Sequence, residues 1–334
     1  MDRRWQDEYA GGRQQGHLWV EWVDSIGSTN QTLMQREVLL PGDDTAPDAA
    51  GNPRGPVAVW LMAGEQTQGR GRRGKVWCSQ PGQAMTASFG CELAAGQLMS
   101  PGLVPLVAGI VIAEFLGTLG ASVKIKWPND LCLLQDDPAR PLVKVGGILC
   151  EMRSRSTGSR LVIGCGLNLF GLPGGLDSDQ PVGAVFGHGS TGRADAGDGP
   201  DSRPRGPGGW PHDPTSRLCD ADSRLHDPAS RLAGTDAGPD DALLARVMLG
   251  VGQALLGGVE QLVTSGFEPF MSRWQQLDVL AGRPVRVHHA DGSRDAVALG
   301  IDAAGGLQVR YEDGAGAESL ATLTAEQVSI RPRG

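Results

Sequence analysis

Two apolar runs with glycines at their centres constrain this chain more than any other feature. Leu142–Glu151 (LVKVGGILCE) and Leu161–Leu169 (LVIGCGLNL) have the Val/Ile/Leu content of buried strands. Each is interrupted by a glycine pair, Gly146 and Gly147 in the first, Gly164 and Gly166 in the second. Glycine weakens a strand, and it persists there at a bulge or where another group comes close to the backbone. Two such strands together predict a sheet with a flat ligand lying against bare backbone. Further strands are predicted at Trp19–Ile26 (WVEWVDSI), Val57–Ala63 (VAVWLMA), Ala84–Leu93 and Val123–Trp127 (VKIKW). The last stops at Pro128, which removes an N–H and holds Trp127 extended, so Asn129 and Asp130 emerge at a bend.

Helices are expected between these strands. Ser28, Thr29 or Asn30 can cap one beginning QTLMQREVLL, and a helix N-terminus attracts anions. The apolar run Leu103–Leu119, broken by Pro105 and Glu114, is short for a membrane span and reads as a buried core helix. Asp240 and Asp241 can cap a second apolar helix, ALLARVMLGVGQALLGGVEQLV, and Phe267–Leu280 continues helically. From Arg283 to Arg331 short alternating runs around Asp-Gly and Gly-Gly turns predict a small β-barrel. The domains expected are thus 19–280 and 281–334. Residues 171–239 differ in composition: apart from Val182–Phe186 they are mainly Gly, Pro, Asp, Ser and Arg, with Ser-Arg-Leu recurring at 216–218, 223–225 and 230–232. One leucine per heptad makes no coiled-coil seam, and so little apolar surface predicts a disordered, low-complexity insertion.

A net charge of −8 and a pI near 5.3 argue against general affinity for nucleic acid or membranes. Against that background Gln66–Trp77 (QTQGRGRRGKVW) is a local exception, with Arg70, Arg72, Arg73 and Lys75 interleaved with Gly69, Gly71 and Gly74. The glycines permit tight or left-handed turns, backbone N–H groups suit an anion, and the arginines add planar donor forks for phosphate or carboxylate. A solvated nucleic-acid-binding patch is the other reading; the acidic total and the lack of interleaved aromatics weigh against it. The six cysteines (78, 91, 132, 150, 165, 219) form no C-x-x-C pair, which fits reduced thiols. The opening MDRRWQDEYAGG has no apolar signal core, so a cytoplasmic protein is expected.

Taken in order, GSTN at 27–30, the basic loop, KWPND at 126–130, KVGGILCE at 144–151 and GCGLN at 164–168 resemble the biotin protein ligase, or biotin–[acetyl-CoA-carboxylase] ligase, family. The resemblance covers about residues 19–170, and more loosely the C-terminal part. It implies an α+β fold: a mixed-sheet catalytic domain related to class II aminoacyl-tRNA synthetases, then an SH3-like β-barrel. It implies activation of biotin by ATP and Mg²⁺ to biotinyl-5′-AMP, then transfer to one lysine of a biotin carboxyl carrier protein of a biotin-dependent carboxylase. About eighteen residues precede the first strand, too few for the DNA-binding domain some members carry, so the monofunctional type is expected, with neither DNA nor membrane as partner. Carried over by motif, the biotin site comprises Ser28, Thr29, Asn30, Gln66, Arg70, Gly71, Arg72, Lys144, Gly146 and Gly147. Arg70, Arg72, Lys126, Asn168 and Arg331 are expected on ATP; Lys126, Asp130 and Arg72 are the catalytic candidates, with Asp130 also the magnesium ligand. Cations and Mg²⁺ suit a reaction in which a carboxylate must meet a triphosphate, and no enzyme nucleophile is required. A lipoate or octanoate protein ligase is the alternative with the same chemistry.

Overall fold

The computed structural model of the chain describes residues 18–39, 57–97, 100–136, 142–155, 158–173, 180–187, 239–290, 292–312, 318–325 and 328–332. Most of the expected insertion, at 174–179 and 188–238, lies outside them, as do the side chains of Asp240 and Asp241. Seven strands form one sheet: β1 (Leu18–Ile26), β2 (Ala58–Gln66), β3 (Ala84–Ala94), β4 (Val123–Lys126), β5 (Asp130–Leu134), β6 (Leu142–Arg155) and β7 (Gly158–Asn168). Their order is β1-β2-β3-β7-β6-β5-β4, with β1 and β2 parallel and the other pairs antiparallel, so the sheet is mixed.

The side-chain period of two explains why β2 reads as an unbroken apolar run: both its faces are buried. Ala58, Trp60 and Met62 face the main core, whereas Val59 and Leu61 pack with Leu33, Leu39 and Val162 on the opposite face. The main core lies under three helices: α2 (Val104–Thr118), α3 (Pro239–Ser265) and α4 (Glu268–Leu277). α2 is apolar nearly all round because it is enclosed, Leu106, Ile110, Ile112 and Leu116 being fully buried. α3 crosses Trp60, whose indole N–H donates to the Met248 carbonyl at 2.8 Å. By length and composition Pro101–Thr118 and Ala242–Ser265 are each apolar enough to cross a membrane, but both pack into this core and are more than half buried.

One strand goes beyond the sequence expectations. β5 follows directly on KWPND, so the motif is the turn of a β4–β5 hairpin in which Lys126 pairs with Asp130. Its DLCLL is too short, and too close to the polar QDD that follows, to read as a strand alone. The C-terminal segment forms a five-stranded antiparallel sheet, β11-β10-β9-β8-β12, from β8 (Pro284–His289), β9 (Gly292–Ile301), β10 (Leu307–Glu312), β11 (Glu318–Leu323) and β12 (Ser329–Pro332). It is seated against the first sheet, the Trp127 indole donating to the Gly305 carbonyl at 3.0 Å, and the segment leading into it is tied there too, Val279 N–H donating to the Ile125 carbonyl at 3.0 Å.

Candidate active site

A cavity of about 330 Å³ collects every residue singled out above: Ser28, Thr29, Asn30, Gln66, Arg70, Gly71, Arg72, Lys126, Asp130, Lys144, Gly146, Gly147, Asn168 and Arg331. They come from segments as far apart in sequence as GSTN and the last strand, and the fold alone brings them together. Trp77, Asn129, Gln180 and Val182 join the lining without having been singled out.

The first wall is the start of α1 (Thr29–Gln35). Seven residues cannot hold a helix in isolation. Leu33, fully buried, contributes about 1.5–3 kcal/mol through its apolar area. Arg160, also fully buried, closes the other end: its guanidinium donates to the carbonyls of Leu33 (2.9 Å), Arg36 and Glu37 (3.3 Å), while Glu92 balances its charge at 2.6 Å. Two of the backbone donors at this helix start, those of Thr29 and Gln31, are met within the chain. Thr29 N–H donates to Gln66 Oε1 at 2.8 Å, and Gln31 N–H faces Ser28 Oγ at 3.5 Å.

The basic loop is a closed hairpin. Arg70 bridges Val76, Gly71 N–H donates to the Lys75 carbonyl at 2.7 Å, and Trp77 N–H to the Gly69 carbonyl at 3.0 Å. At its tip Arg73 (φ 56°) and Gly74 (φ 73°) take the left-handed turn for which the glycine content provides. Arg72 ties the tip to both sheets: Nη1 donates to Asn129 Oδ1 at 2.9 Å and Nη2 to the Ala325 carbonyl at 2.7 Å. Arg73 Nη2 donates to the Val328 carbonyl at 2.7 Å.

The opposite wall carries charge. Asp130 sits between Lys126 Nζ at 2.9 Å and Lys144 Nζ at 2.6 Å. Burial pulls its pKa up, but the two lysines outweigh that and hold the carboxyl well below the usual carboxylate range. Two lysines and one aspartate leave a local excess of one positive charge, suited to a phosphate. Each carboxylate oxygen of Asp130, the residue expected to meet magnesium, faces an ammonium group. Among the described residues no group of three or more His, Cys, Asp or Glu could hold a metal ion. Nearby, Asn168 is buried with its Nδ2 on the Gly183 carbonyl at 3.2 Å and its Oδ1 without a hydrogen-bond partner.

The glycine-marked strands hold a correction. A Cβ on Gly166 would stand 2.4 Å from the Trp77 ring, and one on Gly164 would stand 2.2 Å from Asn30 Oδ1. The bare backbone of β7 thus receives this chain's own indole and amide rather than a ligand directly. Residues 181–186, at the start of the supposed insertion, are docked: Lys144 N–H donates to the Pro181 carbonyl at 2.9 Å and Val185 N–H to the Asn168 carbonyl at 2.8 Å. The apolar patch Val182–Phe186 was the available signal that this stretch packs.

Comparison with known proteins agrees with this geometry. Residues 59–168 match the model of the biotin/lipoate A/B protein ligase family. The chain is 29% identical over 289 residues to the bifunctional ligase/repressor BirA of Escherichia coli (strain K12), an alignment spanning 86% of this chain and 68% of that protein. It is 36% identical over 124 residues to a biotin–[acetyl-CoA-carboxylase] ligase of Paracoccus denitrificans, covering 35% of this chain and 46% of that one. In fold it resembles the biotin protein ligase from Aquifex aeolicus solved with biotin and ATP, at a TM-score of 0.57 and 18% identity, over 94% of this chain and 99% of the other.

Proposed function

This chain belongs to the biotin protein ligase family, and from that premise we propose that it activates biotin with ATP and transfers the biotinyl group to a lysine of a carboxylase's carrier protein. The observation that carries the reading is the meeting in one cavity of a polar wall, Ser28–Asn30 with Gln66, and a cationic wall, Lys126 and Lys144. The polar wall suits a ureido ring, which has two N–H donors and a carbonyl acceptor. The cationic wall suits the place where a carboxylate and a triphosphate must approach each other.

In the first step a biotin carboxylate oxygen attacks the α-phosphorus of ATP. The bond from that phosphorus to the bridging oxygen breaks and pyrophosphate leaves, giving the mixed anhydride. Lys126 and Lys144 offset the accumulating negative charge, each aimed by Asp130 before substrate arrives. Arg70, Arg72, Asn168 and Arg331 complete the nucleotide side, and Mg²⁺ enters as part of the ATP substrate. In the second step the carrier's lysine amine attacks the acyl carbon, AMP leaves, and the ammonium formed loses its proton to solvent. No residue of this chain has to become covalently attached; holding the two partners together supplies the acceleration.

The finer architectural reading is that the seven-stranded sheet is related to class II aminoacyl-tRNA synthetases and that the C-terminal sheet is an SH3-like barrel closing the site. A soluble, cytoplasmic enzyme without a DNA partner fits the acidic surface and the supply of ATP. Lipoate is the competing acyl substrate, since the family description includes it. Its dithiolane ring has no N–H or carbonyl to match the polar wall. Incubating the enzyme with ATP, Mg²⁺, a carboxyl carrier domain and either acid tests the choice by mass spectrometry. The expected result is the biotin mass increment on one lysine and none from lipoate; the reverse result favours the lipoate reading.

A further inference from the structure

We propose that Glu151 is a positioning residue of this site, holding Asn30 and Arg70 in place together; the inference rests on the biotin ligase reading. Glu151 lies on β6 outside the cavity lining, and each of its oxygens has a different partner. Oε1 accepts from Arg70 Nη2 at 2.7 Å, and Oε2 accepts from Asn30 Nδ2 at 2.9 Å. It thereby joins the start of α1 to the basic loop, two segments that meet at opposite edges of one wall.

The protons in this wall can be placed one by one. Asn30 Nδ2 faces two acceptors, Glu151 and the Leu149 carbonyl at 3.1 Å, which fixes the amide with Oδ1 turned to Ser88. Oδ1 only accepts, so the Ser88 hydroxyl, 2.6 Å away and fully buried, gives its single proton to Asn30. Thr29 Oγ1 stands 2.7 Å from Ser88 Oγ and 3.0 Å from Gln66 Oε1. Ser88 has no proton left to give, so Thr29 donates to Ser88, and Gln66 Oε1 keeps the Thr29 N–H. The result is a hydrogen-bond chain of one polarity, Thr29 to Ser88 to Asn30 to Glu151, closed by the Arg70 guanidinium. A carboxylate is the only side chain of this shape that accepts at both ends. In Glu151→Gln one end must present an NH₂ group to a donor, and the exposed partner, Arg70, is the one released.

The test is Glu151→Gln in the full-length protein, with Arg70→Ala and the double variant. Arg70 is half exposed, so loss of its pairing is screened by water. For Glu151→Gln we expect the KM for biotin in ATP–pyrophosphate exchange to rise about three- to tenfold, with kcat within about twofold. Hydrogen exchange of residues 69–77 without ligand should be faster in either single variant, and the double variant should add nothing further. An unchanged loop exchange rate, a fall in kcat at constant KM, or additive effects in the double variant would each overturn the proposal. Arg70→Ala alters an exposed loop, so the exchange arm stands even where Glu151→Gln folds badly. Failure of the wild-type enzyme to exchange pyrophosphate would instead count against the biotin ligase reading, and loop exchange would still decide the hold of Glu151 on Arg70.

Discussion

Asp130 concentrates the electrostatics of the site in one residue. Its side chain is 13% exposed and Lys126's is 5%, so neither charge is well solvated alone. Replacing the carboxylate in Asp130→Asn leaves the buried Lys126 ammonium without a countercharge at its side, with Gln180 Oε1 at 3.1 Å as a neutral acceptor, a change of about 3–5 kcal/mol. The contribution depends on pH with a definite sign. Lys126 and Lys144 hold the folded pKa below the ordinary aspartate value of about 3.9, so the stabilisation is complete above that pH and is lost as pH falls toward the folded value. Urea unfolding should therefore show a large gap between wild type and Asp130→Asn at neutral pH, narrowing in acid; an equal gap at both would contradict the ion pairing. The thiols divide as clearly. Burial pushes Cys91, Cys132 and Cys165 up to about 12, whereas Cys78 is exposed beside the basic loop. Of these four, iodoacetamide at neutral pH should alkylate Cys78 alone in the native protein, and modification of Cys132 before unfolding would show the core to be more open than described.

At the scale of elements, the basic loop behaves as a latch between two sheets. Arg72 spans Asn129 on the β4–β5 turn and the Ala325 carbonyl ahead of β12, and Arg73 reaches the Val328 carbonyl beside it. Arg72→Gly removes two of these ties without touching Lys126, Asp130 or Lys144. It should leave adenylate synthesis measurable while releasing the mixed anhydride early, read as free biotinyl-AMP in a filtrate and as labelling of bystander lysines. A charge-assisted bond of about 1.5–3 kcal/mol sets the scale at roughly ten- to a hundredfold faster release. A variant that makes no adenylate would place Arg72 in the chemical step. Much of this element was legible in sequence: Gly-rich spacing pointed to a turn, and arginines to an anion. The Ala325 and Val328 carbonyls were not legible, because any residue supplies a backbone oxygen and only the fold selects these two.

For the whole molecule, legibility follows from the range of the interactions. Strands β2, β6 and β7 and helix α2 announce themselves through local apolar patterning, which depends on burial alone. β5 escapes because its pairing, not its composition, makes it a strand. Ser88 and Glu151 escape for the same reason: a serine in a strand and a glutamate near a strand end are unremarkable until Asn30 is packed against Gly164. Motifs located the cavity lining, but the hydrogen bonds that orient it depend on residues brought together across the sheet. The central claim, that this cavity joins biotin to the α-phosphate of ATP, is tested most directly by isotope exchange between pyrophosphate and ATP. With purified full-length protein and Mg²⁺·ATP, exchange should require biotin, proceed without any carrier protein, and collapse in Lys126→Ala. Exchange that is absent with biotin, or equally fast without it, would contradict the account.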